Sequence, residues 1–591
     1  MKKRLVLGLL AVLALVVPTT AASASPTSAP SRPLPVVQQL AATVPVYAPE
    51  RGIKMGIHGL FERPVRDTGR TAKVYVPQDA VLGAYMVVTT VPQGQQTVQW
   101  LVDSGWMALA DRDKFVVYIL EPGAPGSWGT AAEEQSYVQT AYDDISVNGP
   151  NGRGTWYLPP ESYYVVGYGA AGTALQKTVM KDPTLVAAAA FVNASDIGSD
   201  YLAQMQTTYY ATPDWNGQRV ASSSVPLPVW TISDHSSAQT AGVVDYWKHA
   251  NQTVSKAVGF HGGQIFRQQK GTLDYYVADE STAVAVLEKR NLREDARLNR
   301  QIYESFLSDY TRYGGAVGGN TLGTRPDYRA LGVEYRTMEL DGRLREFLVY
   351  VPHKARVAAA RGEKSPVVFS LHGSGMTMYS MFDFSRWWEV ADDEGFILVV
   401  PTGLNTENRT GWALGPKSVD MTYMQRLLDT VKQDYAVDTS RIYLGGQSMG
   451  SMMSNAIARD LTLSKNFTAL GTTSGVTTSN DYSGEVLPNF MLFGEFDFWP
   501  YDPATSTVGG WATYWINRNK ALGTPTTPAS LERDGRYVMR KWNNAEGVNV
   551  VRYGVTLGRG HSIIPSEMRT LWDWYALWQK DASGNNVYVG P

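Results

Sequence analysis

A chain of 591 residues with 44% apolar and 18% charged content is too long for one compact core, so two domains are expected. Its 53 basic and 55 acidic residues nearly cancel without a long basic run, which argues against nucleic acid or an anionic membrane surface as a partner. Cysteine is absent, excluding disulfides and a lipid-modified cysteine anchor, while 17 Trp and 33 Tyr exceed the usual need of a core and point to aromatic surfaces or clefts.

Residues 1–24 read as an export signal: Lys2, Lys3 and Arg4, then the apolar stretch Leu5 to Val17, then Ala22-Ser23-Ala24 as a small-residue cleavage site. The apolar stretch is short for a membrane anchor, so a secreted, extracellular protein beginning near Ser25 is expected. Residues 25–45, rich in Pro and Ser at their start, read as a flexible lead-in.

Residues 46–320 alternate apolar, β-rich runs with helical stretches. The segment from Glu288 to Arg312 is charged and helix-prone, and Gly314 to Gly323 is rich in glycine, which places a boundary near residue 320. From 321 to 591 the alternation returns. Pro366 to Leu371, Ile397 to Pro401 and Arg441 to Leu444 read as buried strands, and Met424, Leu427, Leu428 and Val431 mark one face of a helix. Such alternation implies, in each half, a mostly parallel sheet with helices on both faces.

The two halves share a pattern. Arg70-Thr-Ala-Lys-Val-Tyr-Val-Pro77 resembles Arg345-Glu-Phe-Leu-Val-Tyr-Val-Pro352, and Ser104 to Asp111 resembles Ser385 to Asp392. Tyr164 to Gly172 falls where the second half has Ile442 to Gly450, and the offset stays within a few residues of about 280. Packing between two similar domains is therefore expected.

Chemistry concentrates in the second half. Gly446-Gln447-Ser448-Met449-Gly450 has the form G-x-S-x-G, set between an apolar strand and a helix-prone stretch, which makes Ser448 the candidate nucleophile. A serine needs a base, and the second half offers His353, His372 and His561. His353 follows a strand and faces solvent, and His372 lies upstream of the serine, so His561 is the base by order and elimination. The acid belongs between Ser448 and His561, beyond the strand Asn489 to Gly494. Asp497 is chosen there, with Glu495 and Asp502 as alternatives. The loop His372-Gly373-Ser374-Gly375 and the N–H of Met449 are placed to build an oxyanion hole. This chemistry calls for no metal or cofactor.

With these motifs in hand, the second half resembles the poly(3-hydroxybutyrate) depolymerase and feruloyl esterase group of α/β-hydrolases, from Arg345 to about Lys580. The likeness rests on Leu371-His-Gly-Ser374, Gly411-Trp412, Val437 to Gly450, Phe493-Gly-Glu-Phe-Asp497 with Pro500-Tyr501, and Gly558-Arg-Gly-His561. It implies two tandem α/β-hydrolase-type domains, the first a degenerate copy. It also implies a serine esterase acting through an acyl-enzyme on a small or polymeric ester, either a polyester or a plant-polymer ester. Ser374 would then give the first oxyanion N–H, and His372, Trp412, Gln447 and Trp499 would border the acyl pocket. The chain departs from the family at Phe493, at Ser562-Ile-Ile-Pro565 and at Asp420-Met421, all around the expected pocket. In the first half, Ala170 takes the serine position, Pro92-Gln93 replaces His372-Gly373, and no histidine lies near Asn291, so that half is expected to be silent. The same triad would serve a peptidase or acyltransferase, and two hydrolase scaffolds could also make a non-catalytic polymer-binding protein.

Overall fold

Runs of Val, Ile, Ala and aromatic residues form strands buried on both faces. Met86–Thr90, Val116–Leu120 and Val186–Val192 in the first half, and Ile397–Pro401 and Asn489–Gly494 in the second, contain no exposed residue. Double-sided burial is what a parallel sheet covered by helices imposes. The computed structural model describes residues 33–39, 49–123, 126–145, 163–194, 197–210, 220–234, 238–269, 282–313, 322–403, 410–475, 485–497 and 508–590. The expected export signal lies outside these residues.

Among the described residues the second-half sheet has ten strands. In spatial order they are Glu334–Leu340, Arg343–Tyr350, Ile397–Pro401, Ser365–Leu371, Val437–Gln447, Ala469–Thr473, Asn489–Gly494, Asn549–Thr556, Tyr537–Asn543 and Ser530–Asp534. The strands from Ile397–Pro401 to Asn549–Thr556 run parallel, and antiparallel strands close both ends. The first half repeats this order and every direction with Gly59–Val65, Arg70–Val76, Val116–Leu120, Met86–Thr90, Tyr163–Tyr168, Val186–Val192, Val229–Ser233, Ala283–Glu288, Gly263–Arg267 and Val258–Phe260. The chain thus carries two tandem α/β-hydrolase-type sheets.

Two expectations need correction. Within the stretch read as a flexible lead-in, Val37–Gln39 adds a parallel edge strand to Leu60–Glu62; backbone pairing holds it although its side chains are exposed. The helix expected over Glu288 to Arg312 is confined to Ala296–Ser305, because Asp295 caps it by accepting from the N–H groups of Arg297 and Leu298. Glu288 instead ends a strand, and Tyr310–Arg312 pairs with Leu322–Thr324 across the glycine-rich boundary, whose residues 314–321 are outside the described set.

The two sheets are joined by polar and apolar contacts. Ile53 and Leu82 of the first half belong to the second half's core. The Ile53 N–H donates to Glu346 at 2.6 Å and the Tyr85 hydroxyl to Asp383 at 2.7 Å. Among the described residues no helix is long and apolar enough to cross a membrane.

Candidate active site

The strand Val437–Gln447 turns directly into the helix Met449–Arg459, and Ser448 occupies the turn with φ +53° and ψ −118°. The neighbouring glycines make this turn feasible. A Cβ on Gly450 would lie 2.1 Å from the Leu371 carbonyl oxygen, and one on Gly446 would lie 2.6 Å from the Gly450 carbonyl carbon. The serine therefore projects from a strained, closely packed elbow at the helix N-terminus, where backbone N–H groups face outward.

His561 and Asp497 arrive from two loops beyond neighbouring parallel strands. His561 Nε2 is 3.0 Å from Ser448 Oγ, and His561 Nδ1 is 2.8 Å from Asp497 Oδ1. The two strands are Asn489–Gly494 and Asn549–Thr556, which pair side by side. The acid accepts from Nδ1–H, which leaves Nε2 free to accept from the serine hydroxyl. Asp497 is 1% exposed. Burial alone would raise its pKa, but its hydrogen bond to His561, the His561 and Arg559 charges and the Ser474 hydroxyl outweigh burial and hold it below the usual carboxylate value. Of the alternative acids, Glu495 instead accepts from the Gly558 N–H at 2.9 Å, and Asp502 lies outside the described residues.

Arg559, fully buried, anchors the histidine loop in a way the sequence did not announce. Its Nη1 donates to Ser474 Oγ at 2.6 Å and to the carbonyls of Gly560 and Ser562, both at 2.9 Å. Its Nε meets Glu567 at 2.7 Å, a carboxylate from the following helix Pro565–Tyr575. The signal available in the sequence was the arginine two residues before the histidine, with a glutamate six residues after it.

The loop His372-Gly373-Ser374-Gly375 lies against the elbow: a Cβ on Gly373 would come 3.3 Å from Ser448 Cβ. No hydrogen bond among the described residues occupies the N–H of Ser374 or of Met449. Both donors are therefore available to an oxygen beside Ser448.

Three of the four expected pocket residues are instead buried, and two of them, His372 and Trp412, hold the loop backbone. His372 is fully buried, and Trp412 is 1% exposed. The Gly403 N–H donates to His372 Nε2 at 3.0 Å, so Nδ1 carries the proton and donates to the Gly373 carbonyl at 2.7 Å. Burial pushes the His372 pKa down to about 4, with the Arg345 charge adding to the fall and the Gly373 bond opposing it. Trp412 Nε1 donates to the His372 carbonyl at 2.8 Å. Gln447 is fully buried, and neither of its amide atoms has a hydrogen-bond partner among the described residues. The close approach of strand, loop and helix leaves no room for these side chains at the surface. Trp499, the fourth, lies outside the described residues, as do Pro500 and Tyr501.

A buried ion pair supports the same loop from below. Asp420 pairs with Arg345 and also accepts from the Ala413 N–H at 2.7 Å, next to Trp412. The first half holds a counterpart: Arg70 pairs with Glu134, Glu134 accepts from the Gly129 N–H at 2.9 Å, and Trp128 Nε1 donates to the Val91 carbonyl at 2.7 Å.

That correspondence shifts the expected register. Gly94 and Gly375 have φ of +83° and +82°, and each donates its N–H at 2.8 Å to a neighbouring loop. Pro92 and Gln93 therefore stand opposite Gly373 and Ser374, one place later than the sequence pattern suggested. At the elbow the positive-φ residue between strand and helix is Gly169, at +56°, so the counterpart of Ser448 is Gly169 rather than Ala170. A short, glycine-rich motif does not fix its own register; the backbone turn does. Past the strand Ala283–Glu288, where the second half has His561, Glu294 accepts from Asn193 Nδ2 at 2.8 Å.

No known family profile matches the chain. It is similar to a bifunctional acetylxylan esterase/xylanase of Neocallimastix patriciarum, at 25% identity over 41% of this chain and 35% of that protein. It is also similar to feruloyl esterase B of Neurospora crassa, at 32% identity over 18% of this chain and 37% of that one. The chain thus spans little more than a third of the length of these two relatives. Among solved structures, an acetyl xylan esterase from Aspergillus awamori is similar at 15% identity, covering 41% of this chain and 98% of that one with a TM-score of 0.33.

Proposed function

We propose that the chain is a serine-dependent carboxylic ester hydrolase whose second half carries the reaction. The observation that supports this reading is the Ser448–His561–Asp497 chain of contacts at 3.0 and 2.8 Å on a strained elbow, with two N–H groups beside it. Ser448 Oγ attacks the ester carbonyl carbon while its proton passes to His561 Nε2. The carbonyl oxygen becomes an oxyanion facing the Ser374 and Met449 N–H groups. His561 then gives the proton to the departing alcohol, leaving an acyl group on Ser448. Water enters, loses a proton to His561 and attacks the acyl carbon; the serine leaves with that proton as the acid is released. Asp497, ionised and buried, holds the imidazole in the required tautomer throughout.

The substrate proposed is an acyl ester on a plant polysaccharide. The names of both sequence relatives support this class over a polyester. Export from the cell suits a polymer too large to enter it, and the first half is read as a silent copy because Gly169 offers no nucleophile. The test is turnover of p-nitrophenyl acetate, acetylated xylan and methyl ferulate by the purified chain. Release of acetate or ferulate, with no cleavage of peptide substrates, supports the reading; inert behaviour toward all three esters rejects it.

A further inference from the structure

A cavity away from the triad opens in the seam where the two halves meet. Its volume is about 320 Å³, at the small end of the range for ligand pockets. Neither a triad residue nor an oxyanion donor lines it. Tyr85 comes from the first half, and Tyr328, Tyr335 and Tyr379 from the second. The rings of Tyr328 and Tyr379 meet at 64° with centroids 5.8 Å apart, forming a corner, and Tyr335 is 47% exposed.

The charged groups around this cavity already hold partners: Asp113 pairs with Arg112 at 2.7 Å, and Lys114 donates to the Gln78 carbonyl at 3.0 Å. Lys54 lies 2.9 Å from Asp79, and Arg325 Nε lies 3.5 Å from Asp383. Asp383 also accepts from the hydroxyls of Tyr85 and Tyr328, at 2.7 and 2.6 Å. Glu346 accepts from the Tyr335 hydroxyl at 2.7 Å and from the Ile53 N–H at 2.6 Å. An ionic ligand would have to displace a counter-charge from Lys54, Arg325 or a carboxylate, or the hydrogen-bond partners that hold Lys114 and Glu346. A wholly apolar ligand would strip water from the rim ammonium and carboxylates without replacing it. A neutral ring that has an apolar face and several hydroxyls meets both demands: its C–H face lies on tyrosine, and its hydroxyls share bonds with carboxylates and lysine.

We propose that this seam is a non-catalytic subsite for neutral sugar units of a polysaccharide chain, built jointly by the two halves. It rests on the reading of the chain as a polysaccharide ester hydrolase and gives the silent half a task within it. The seam also adjoins the active centre through one element. Tyr379 and Asp383 sit on the helix Met378–Ser385, whose N-cap Thr377 lies two residues beyond the loop His372 to Gly375. A polymer held in the seam is thereby held by the element that continues from the oxyanion loop.

The experiment uses the full chain with Ser448→Ala, so that binding is read without turnover. It is titrated calorimetrically with xylohexaose, xylose and ferulate. Saturable binding of xylohexaose, tighter than that of xylose, is expected. Tyr335→Ala and Tyr379→Ala should each weaken it at least tenfold, whereas Tyr335→Phe, which keeps the ring, should retain most of it. Should Tyr379→Ala fail to fold, the half-exposed Tyr335 still carries the comparison. The proposal is overturned by absent binding, by binding that both alanine variants retain, by xylose binding as tightly as the hexaose, or by ferulate displacing the hexaose at equal concentration. Hydrolysis of p-nitrophenyl acetate by the chain with Ser448 intact is measured alongside. Turnover there with no hexaose binding would sink the subsite and leave the ester reading standing.

Discussion

Ser448 adopts a backbone conformation, φ +53° and ψ −118°, that costs a non-glycine residue roughly 1–3 kcal/mol. The first half spends nothing on this turn, because glycine is there. Ser448→Gly should therefore raise the unfolding temperature while reducing ester turnover to a residual rate, as calorimetry and a p-nitrophenyl acetate assay would record. His372 leads to a pH effect. Its folded pKa of about 4 lies below the unfolded value of about 6.5, so the unfolded chain binds a proton that the folded chain refuses. Its contribution to stability is complete above pH 6.5 and is lost as pH falls toward 4. By pH 5 the loss is about 2 kcal/mol, from 1.36 kcal/mol per pKa unit. Urea unfolding at pH 7 and pH 5 should show this difference, and a His372→Asn chain should show less of it. A pH dependence identical in both chains would contradict the assignment.

At the scale of elements, the oxyanion loop depends on groups beneath it: the neutral imidazole of His372, the indole of Trp412 and the Arg345–Asp420 pair. Removing Asp420 would leave the buried Arg345 guanidinium without its counter-charge. Asp420→Ala should accordingly cost about 3–5 kcal/mol in urea unfolding, the range for breaking a buried pair from one side. A cost under 1 kcal/mol would show that the pair does not hold the loop. Much of this site was legible in the sequence. The motif around Ser448, the order serine–acid–histidine and the strand before Asp497 fixed three residues that the fold brings within hydrogen-bond reach. The supports were not legible, since they depend on what lies under a loop rather than on local pattern. His372 and Trp412 looked like pocket residues because polar and aromatic side chains near a nucleophile often are. Here their ring nitrogens are used on backbone atoms. The role of Arg559 is hidden for the same reason: its partners come from three separate segments.

Across the whole molecule, two sheets with the same strand order differ at a few atoms of chemistry. The repeat was visible in the sequence, but its register at the elbow was off by one residue, since glycine-rich motifs align equally well either way. Gly169 therefore becomes the position to test. In a chain carrying Ser448→Ala, Gly169→Ser should not restore ester turnover, because Glu294 rather than a histidine lies beyond the matching strand, bonded to Asn193. Recovery of even a few percent of the original rate would contradict the silence of the first half. The halves also share core: Ile53 and Leu82 pack with the second sheet, and Asp383 relies on Tyr85. A shortened chain starting at Leu322 should therefore be less soluble than the full one, as sedimentation after expression would record. Covalent labelling settles the central claim most directly. The intact chain is treated with an excess of an organophosphonate, digested and mapped by mass spectrometry. One adduct per chain, on the peptide containing Ser448, is expected, with labelling abolished by Ser448→Ala. An adduct on another serine, or undiminished labelling of the Ser448→Ala chain, would contradict it.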